Sequence, residues 1–309
     1  MHWPDDFVNK VICGDCLEVV KEIPENSIDA IVTDPPYFFD KFDNEWNPEK
    51  VEKRTMRQAV GSLPAGMKFD RAQGQKLYEW FLKVSEGFLR VLKPGGFLFV
   101  FSSPRLYHRI ACAVDDIGFN IRDCFIWLYT HSQPKAMSLV RFIERLRINR
   151  EVKKELVQKL KKWKTPQVKS CFESILVAQK SYQRTLLENF LEYKVGLFNT
   201  ELKIGLNKFP SNALMVEGIE NVLDKYFLIK KPSKKEKGEF NFHTTVKPLL
   251  LCQYLIELST IEGAVVLDPF LGSGTTAVAC KQLGRNFIGI EINSEYCEIA
   301  KKRLKGGIF

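Results

Sequence analysis

The stretch TDPPYFF, Thr33 to Phe39, follows the apolar run IDAIVT, Ile28 to Thr33, and joins a carboxylate to two consecutive prolines and an aromatic ring. Proline has no N–H for a sheet ladder and biases the residue before it away from helix, so the backbone must leave the strand as a stiff turn. Asp34 and Tyr37 are then held with little freedom at a strand end, which in an open parallel sheet is where ligands bind. A second constellation lies far along the chain, in LDPFLGSGTT, Leu267 to Thr276. Gly272 and Gly274 let the backbone approach a ligand closely, and the helix that follows, from about Thr275, offers unpaired N–H groups. Seventeen residues past Gly274, Glu291 ends a further strand, where an acidic side chain can accept both hydroxyls of a ribose. Asp268 would repel a pyrophosphate but suits a cationic amino-acid group, and the turn lacks the G-K-[ST] run of a phosphate-binding loop.

The elements that position these groups read as alternating strands and helices. Lys10 to Gly14 has strand character, Cys16 to Ile23 is a short helix ended by Pro24, and Ile28 to Thr33 is a buried strand. Phe38 to Gln73 has little periodicity and reads as a long loop able to close over a bound group. Apolar residues at 77, 81, 84, 88 and 91 give a helical stripe from Gln75 to Leu92, stopped by LKPGG. FLFVF, Phe97 to Phe101, is continuous and apolar, as a strand covered on both faces should be. A helix from Arg105 to Ile117 and a strand from Ile121 to Leu128 follow. Apolar residues near 139, 143, 146, 152, 156, 160 and 163 predict one long basic helix, or two consecutive ones, over Met137 to Trp163. Ser174 to Val177 reads as a strand returning to the sheet, and 181–240 as irregular. From Val246 the chain resumes as helix, strand AVVLD, Gly-rich turn, helix, strand NFIGIE and a final helix.

Charge separates the segments further. Between Lys135 and Lys169 there are twelve Lys or Arg against three Glu, an excess equal to the net charge of +9 of the whole 309-residue chain. A basic excess confined to one segment points to a polyanionic partner. No run of eighteen apolar residues occurs, and MHWPDDFVNK has no basic start and no apolar core, so a cytoplasmic protein with no membrane contact is expected. Eight scattered cysteines suit reduced core thiols; the CGDC pair, Cys13 and Cys16, is the one redox candidate. His2, His108 and His131 lack partners at ligand spacing, so no metal site is expected.

Taken together, DPPY and the later Gly-rich turn make the chain resemble the β class of DNA amino-methyltransferases, which methylate the exocyclic amine of adenine (N6) or cytosine (N4). In that class a [DNS]PP[YFW] motif precedes an FxGxG motif, with the target-recognition region between them. The resemblance implies an α/β, Rossmann-like methyltransferase fold with circularly permuted motif order, a mostly parallel seven-stranded sheet and a helical insertion for DNA recognition. Its implied divisions are 1–134 as the catalytic half, 135–171 as the basic helical insertion, 172–180 as a returning sheet strand, 181–240 as the target-recognition region and 241–309 as the cofactor-binding half. The implied cofactor is S-adenosyl-L-methionine, which the cationic preference of Asp268 also favours over a dinucleotide.

Residue by residue, the resemblance implies that Phe270, Gly272, Gly274 and Thr275 wrap the cofactor's methionine part, with Asp268 near its amino group and Glu291 on its ribose. Asp15, in the G-D segment after the first strand, is placed by the adenine. HTTVKP, His243 to Pro248, resembles the family's HPTxKP segment, with Thr244 where Pro is usual, and puts Thr245 and Lys247 beside the cofactor. Asp34, Pro35, Pro36 and Tyr37 are the catalytic set, Asp34 also touching the cofactor. An aryl amine is a poor nucleophile because its lone pair is delocalised into the ring. If Asp34 and the carbonyl of Pro35 accept its two hydrogens, the lone pair can localise and face an electrophilic methyl. Arg141, Arg145, Lys153, Lys154, Lys161 and Lys162 are the expected DNA contacts, with base readout in 181–240. Asp at 34 favours adenine in the family. Other readings are cytosine N4, transfer to RNA or to protein glutamine, and a non-catalytic DNA-binding subunit. The family further implies double-stranded DNA as partner, a homodimer, and a cognate restriction endonuclease as a separate chain. No Pro-Cys dipeptide occurs, so the thiolate of cytosine C5 methylation is absent.

Overall fold

A computed structural model describes residues 1–36, 71–129, 136, 138–165, 171–202, 212–215, 227–228, 232, 234–237, 240–241 and 246–306. In chain order these residues form β1 (Lys10–Cys13), α1 (Cys16–Glu22), β2 (Ile28–Thr33), α2 (Arg71–Val91), β3 (Leu92–Ser102), α3 (Tyr107–Asp116) and β4 (Asn120–Leu128). Two helices, α4 (Val140–Glu144) and α5 (Arg150–Leu160), precede β5 (Phe172–Gln179), followed by α6 (Leu186–Tyr193), β6 (Ala213–Met215), β7 (Phe227–Leu228) and α7 (Lys234–Lys237). The chain ends with α8 (Leu249–Ser259), β8 (Val265–Asp268), α9 (Thr275–Gln282), β9 (Asn286–Glu291) and α10 (Ser294–Lys305).

The strands make one sheet in the order β1-β9-β8-β2-β3-β5-β4-β6-β7. All pairings are parallel except those of β5, which runs antiparallel to β3 and β4. The expected α/β architecture and mostly parallel sheet are therefore present. Among the described residues there are nine strands rather than seven, because the short β6 and β7 extend the sheet beyond β4.

The strand alternation of side chains explains how one sheet holds two cores. Phe97, Phe99 and Phe101 of β3 face a cluster with Leu251, Cys252 and Leu255 of α8 and Ala277, Ala279 and Cys280 of α9. Leu98 and Val100 face the other side, against Val20 of α1, Leu77, Phe81 and Phe88 of α2, and Ile110 and Val114 of α3. Each fully buried Val, Leu, Ile or Phe among them contributes roughly 1.5–3 kcal/mol of transfer free energy. The α2 stripe read from the sequence, at 77, 81, 84, 88 and 91, is buried at every position.

A buried carboxylate fastens the adjacent strands β2 and β8 at their starts. Asp29 accepts from the backbone N–H of Val265 at 2.7 Å and from Lys93 Nζ at 2.6 Å, which ties β2 to β8 and β3 at once. LKPGG does stop α2, which ends at Val91, but it then opens β3 instead of forming a separate turn. Gly95 permits this with φ +83, at a place where the β2–β3 register shifts between Ile28 and Ala30.

One further sequence expectation is corrected. The region 181–240 is not irregular throughout: α6 is a helix with a complete capping box between Thr185 and Glu188. The stripe on Met137–Trp163 forms two consecutive helices, one of the two arrangements expected, and its apolar face is largely exposed. Ile143 is buried, α5 buries no residue, and Leu139, Leu146, Val152 and Trp163 are exposed.

Candidate active site

The site lies where the strand connections diverge. β8 continues through α9 to β9 on one side, and its neighbour β2 precedes β3 on the other, so the β2–β8 boundary is a topological switch point. Because β1, β9, β8 and β2 are parallel neighbours, their carboxyl ends share one edge of the sheet. That edge carries Asp15 just after β1, Glu291 ending β9, Asp268 ending β8 and Asp34 just after β2. Four acidic side chains, remote in sequence, thus line one rim.

The strand end that carries Asp34 is tied to the Gly-rich turn through Thr33. Thr33 Oγ1 donates to Asp268 Oδ1 at 2.9 Å, and the backbone N–H of Phe270 donates to the same oxygen at 3.1 Å. Pro35 is buried and Pro36 half-buried, so the turn after β2 is embedded rather than free. Burial pushes the Asp268 carboxyl up to about 7, against the opposing effect of hydrogen bonds from Thr276, Thr33 and the N–H of Phe270.

The turn is held from behind by a buried cation. Arg303 of α10 donates to Ser273 O at 2.9 Å, Ser273 Oγ at 3.2 Å and Thr275 Oγ1 at 3.0 Å. Gly274 has φ +88 and caps α9, and Gly272 has φ +54. Glu291 clasps the turn from the next strand, accepting from the N–H of Gly272 and from the N–H of Asn293, each at 2.8 Å. Burial raises its carboxyl above the usual carboxylate range, with those backbone N–H groups pulling the other way. The ring of Phe270 packs on Trp80 of α2 with centroids 5.5 Å apart.

Lys247, two residues before α8, reaches across to the end of β2. Its ammonium donates to Asp34 Oδ2, stands 3.3 Å from Glu173 Oε2 and lies 5.1 Å from the centre of the Phe101 ring. The side chains of Lys247, Asp34 and Glu173 are 10%, 22% and 23% exposed. Burial alone would lower the ammonium's pKa; attraction to Asp34 and Glu173 outweighs it and holds the group above the ordinary lysine range.

The structure therefore brings Asp34, Pro35, Lys247, Asp268, Phe270, Gly272, Gly274, Thr275 and Glu291 to one edge of the sheet. Asp15 lies at the same edge beside β9, where the N–H of Gly14 donates to Glu291 O at 3.0 Å. It is exposed, and its carboxylate caps α1 through the N–H of Leu17 at 2.8 Å. Tyr37, Thr245 and almost all of the loop 38–73 lie outside the described residues. The redox reading of CGDC finds no support: Cys13 and Cys16 are both free thiols, and burial pushes the Cys16 thiol up to about 12. Among the described residues no group of acidic, His and Cys side chains could hold a metal, and no helix is long and apolar enough to cross a membrane.

Sequence reasoning misses Glu173. An acidic residue at the carboxyl end of a strand is a signal that finds residues on parallel strands only. β5 is antiparallel, so its amino end, with Glu173 paired to Trp127 and Ser174 to Ser102, lies at the same rim.

The basic segment rises from this rim as well, since α4 and α5 fill the connection from the carboxyl end of β4 to the amino end of β5. Arg145, Lys154, Lys161 and Lys162 are exposed. Lys153 is half-buried and donates to Glu144 O at 3.0 Å, joining the two helices, and Arg141 lies in α4.

One prediction concerns Asp268 alone. A carboxyl whose folded-state pKa lies above its unfolded value favours the folded state while protonated, and that contribution disappears as pH rises from about 4 to about 7. Thermal melts across that window should show wild type losing stability relative to Asp268→Asn. Parallel curves for the two proteins would mean that the carboxyl is not perturbed.

Comparison with known proteins places this geometry. A family model described as DNA methylase matches residues 28–302. The chain is 31% identical to the Type II methyltransferase M.HindIII of Haemophilus influenzae, over 96% of each protein. It is 28% identical to the Type II methyltransferase M.HinfI of Haemophilus influenzae, over 97% of this chain and 69% of that protein. A crystal structure of an M1.HpyAVI–SAM complex superimposes with TM-score 0.55 at 25% identity, covering 96% of this chain and 98% of that one. The cytosine-N4-specific PvuII DNA methyltransferase shares the fold, with TM-score 0.60 at 18% identity over 96% of this chain and 88% of that one.

Proposed function

We propose that this chain, which belongs to the DNA methylase family, transfers a methyl group from S-adenosyl-L-methionine to the N6 amine of adenine in duplex DNA, as the modification half of a restriction-modification system. The observation that carries the reading is the bond between Thr33 and Asp268, which sets the Asp34-Pro35 turn beside the Gly-rich turn at the switch point. Acceptors for an amine and a cradle for a methyl donor are then neighbours. Asp34 in the family's motif favours adenine over cytosine.

The donor set fits this cofactor. S-adenosylmethionine carries a sulfonium and an ammonium, and among the described residues the rim presents Asp34, Glu173, Asp268 and Glu291 around the ammonium of Lys247. When bound, S-adenosylmethionine supplies an electrophilic methyl carbon attached to sulfur. Gly272, Gly274 and Thr275 would hold its methionine part against backbone, Asp268 would receive its amino group, and Glu291 would take the ribose. Its ammonium favours the ionised form of Asp268, so affinity rises with pH up to about 7.

The chemistry of the chain itself is hydrogen-bond acceptance. Asp34 and the Pro35 carbonyl accept the two amine hydrogens, which localises the nitrogen lone pair on the face turned toward the donor. The prolines fix both acceptors before the substrate arrives, so little reorganisation accompanies the reaction. The base leaves the duplex to reach them, at a cost of a few kcal/mol. Stacking on Tyr37 returns roughly 1–3 kcal/mol of that.

DNA is held by the α4–α5 insertion, whose exposed cations rise from the rim that carries Asp34. Reversing the charge of Arg145, Lys154, Lys161 and Lys162 weakens binding to all duplex sequences alike and flattens its salt dependence. Titration of duplexes at two salt concentrations checks this; unchanged affinity at low salt would mean that the insertion faces elsewhere. The activity itself is tested by supplying methyl-labelled cofactor with duplex DNA, RNA and total protein, then digesting the DNA to nucleosides. Label in N6-methyladenine supports the reading. Label in N4-methylcytosine, RNA or glutamine overturns its substrate.

A further inference from the structure

The reading of Asp34 as the amine's acceptor creates a conflict that the structure itself answers. Asp34 accepts a hydrogen bond from the Lys247 ammonium. A cation at that distance draws electron density from the carboxylate and competes with the arriving amine for its oxygens. The ammonium cannot simply withdraw, because it is nine-tenths buried and an unpaired charge there is costly. Its second neighbour is Glu173, whose Oε2 stands 3.3 Å from the same nitrogen on the opposite side of the sheet's β3 strand from Asp34.

We propose that Glu173 is a positioning residue that takes over the Lys247 ammonium as the target amine engages Asp34. The ammonium moves toward a carboxylate already within ion-pair distance, so one partner replaces another and no buried charge is left alone. The Phe101 ring, 5.1 Å away, provides a face along which the ammonium stays favourably placed during the shift. Two carboxylates sharing one cation also explain why an acidic side chain sits at the amino end of β5, in a largely enclosed position where Lys247 is its ion-pair partner among the described residues.

This inference rests on the reading of Asp34 given above, and a double-mutant cycle separates the two. Single-turnover methylation is measured at saturating cofactor for wild type, Glu173→Gln, Lys247→Gln and the double variant, with cofactor affinity measured alongside. Glu173→Gln should slow transfer about tenfold with cofactor affinity within about threefold, and the same substitution should cost nothing once Lys247 is Gln. Glu173→Asp, which keeps the charge but retracts it, should fall between wild type and Glu173→Gln. Equal losses in both Lys247 backgrounds, or a wild-type rate in Glu173→Gln, would overturn the proposal. If the Gln variant fails to fold, the Asp variant decides: a rate equal to wild type counts against the handover, and a slower rate restored by Lys247→Gln supports it. Activity retained by Asp34→Ala would defeat the reading of Asp34 itself, whereas an inactive Asp34→Ala with an unaffected Glu173→Gln defeats this inference alone.

Discussion

Asp34→Ala lowers the methyl-transfer rate by on the order of 10³-fold or more, while cofactor affinity stays within a few-fold of wild type. The separation follows from where the carboxylate sits. Asp34 belongs to the turn after β2, whereas the residues proposed to hold the cofactor's methionine and ribose lie on β8, its turn and β9. The fold should survive the change, because Lys247 keeps Glu173 as a counter-charge 3.3 Å away. Asp34→Asn retains an acceptor oxygen without the charge and should be intermediate in rate. Quench-flow measurement of transfer, paired with calorimetric titration of the cofactor, checks both halves. A loss of affinity as large as the loss of rate would show that Asp34 acts on the cofactor rather than on the amine.

Gly274→Val removes cofactor binding and destabilises the protein together. The backbone at 274 has φ +88, a conformation that costs a β-branched residue about 1–3 kcal/mol. A Cβ there would stand 2.8 Å from the Cβ and 3.1 Å from the Cα of Ala300 in α10, so α10 must also move. Because Arg303 on α10 supports Ser273 and Thr275, displacing that helix withdraws the turn's backing at the same time. The expected result is a fall of at least about 2 kcal/mol in unfolding free energy and a cofactor affinity reduced about a hundredfold. Thermal denaturation with and without cofactor tests this; a variant that melts normally and still gains stability from cofactor would remove Gly274 from the cradle.

Much of this site is legible in the amino-acid sequence. A double proline after an apolar run marks the end of a strand, and two glycines before a helix mark a close backbone approach; both readings depend on local backbone chemistry, and both elements lie where expected. The apolar stripe of α2 is equally readable, because a 3.6-residue period is a local property. Glu173 is not legible, since its place at the rim depends on β5 running against its neighbours, a fact of topology rather than of local sequence. Arg303 is hidden for a related reason: its partners, Ser273 and Thr275, lie about one supersecondary unit earlier in the chain. The sequence around α6 reads as irregular although Thr185 and Glu188 form a capping box, because the polar residues around a short helix outweigh its start signal. The stripe on α4 and α5 shows the limit of such a period. Its period correctly gives helix, but period alone does not say whether a face meets the core, and α5 buries none of it.

The central claim is that Asp34 and the Pro35 carbonyl hold an extruded base's amine against the donor methyl. Crystals of the protein with a duplex containing its target and a non-transferable analogue of the cofactor test it most directly. The account predicts an unstacked adenine whose N6 lies within hydrogen-bond distance of both acceptors and in line with the donor's sulfur–carbon bond. A cofactor bound away from the β2–β8 boundary, or a base whose amine faces any other group, would contradict it.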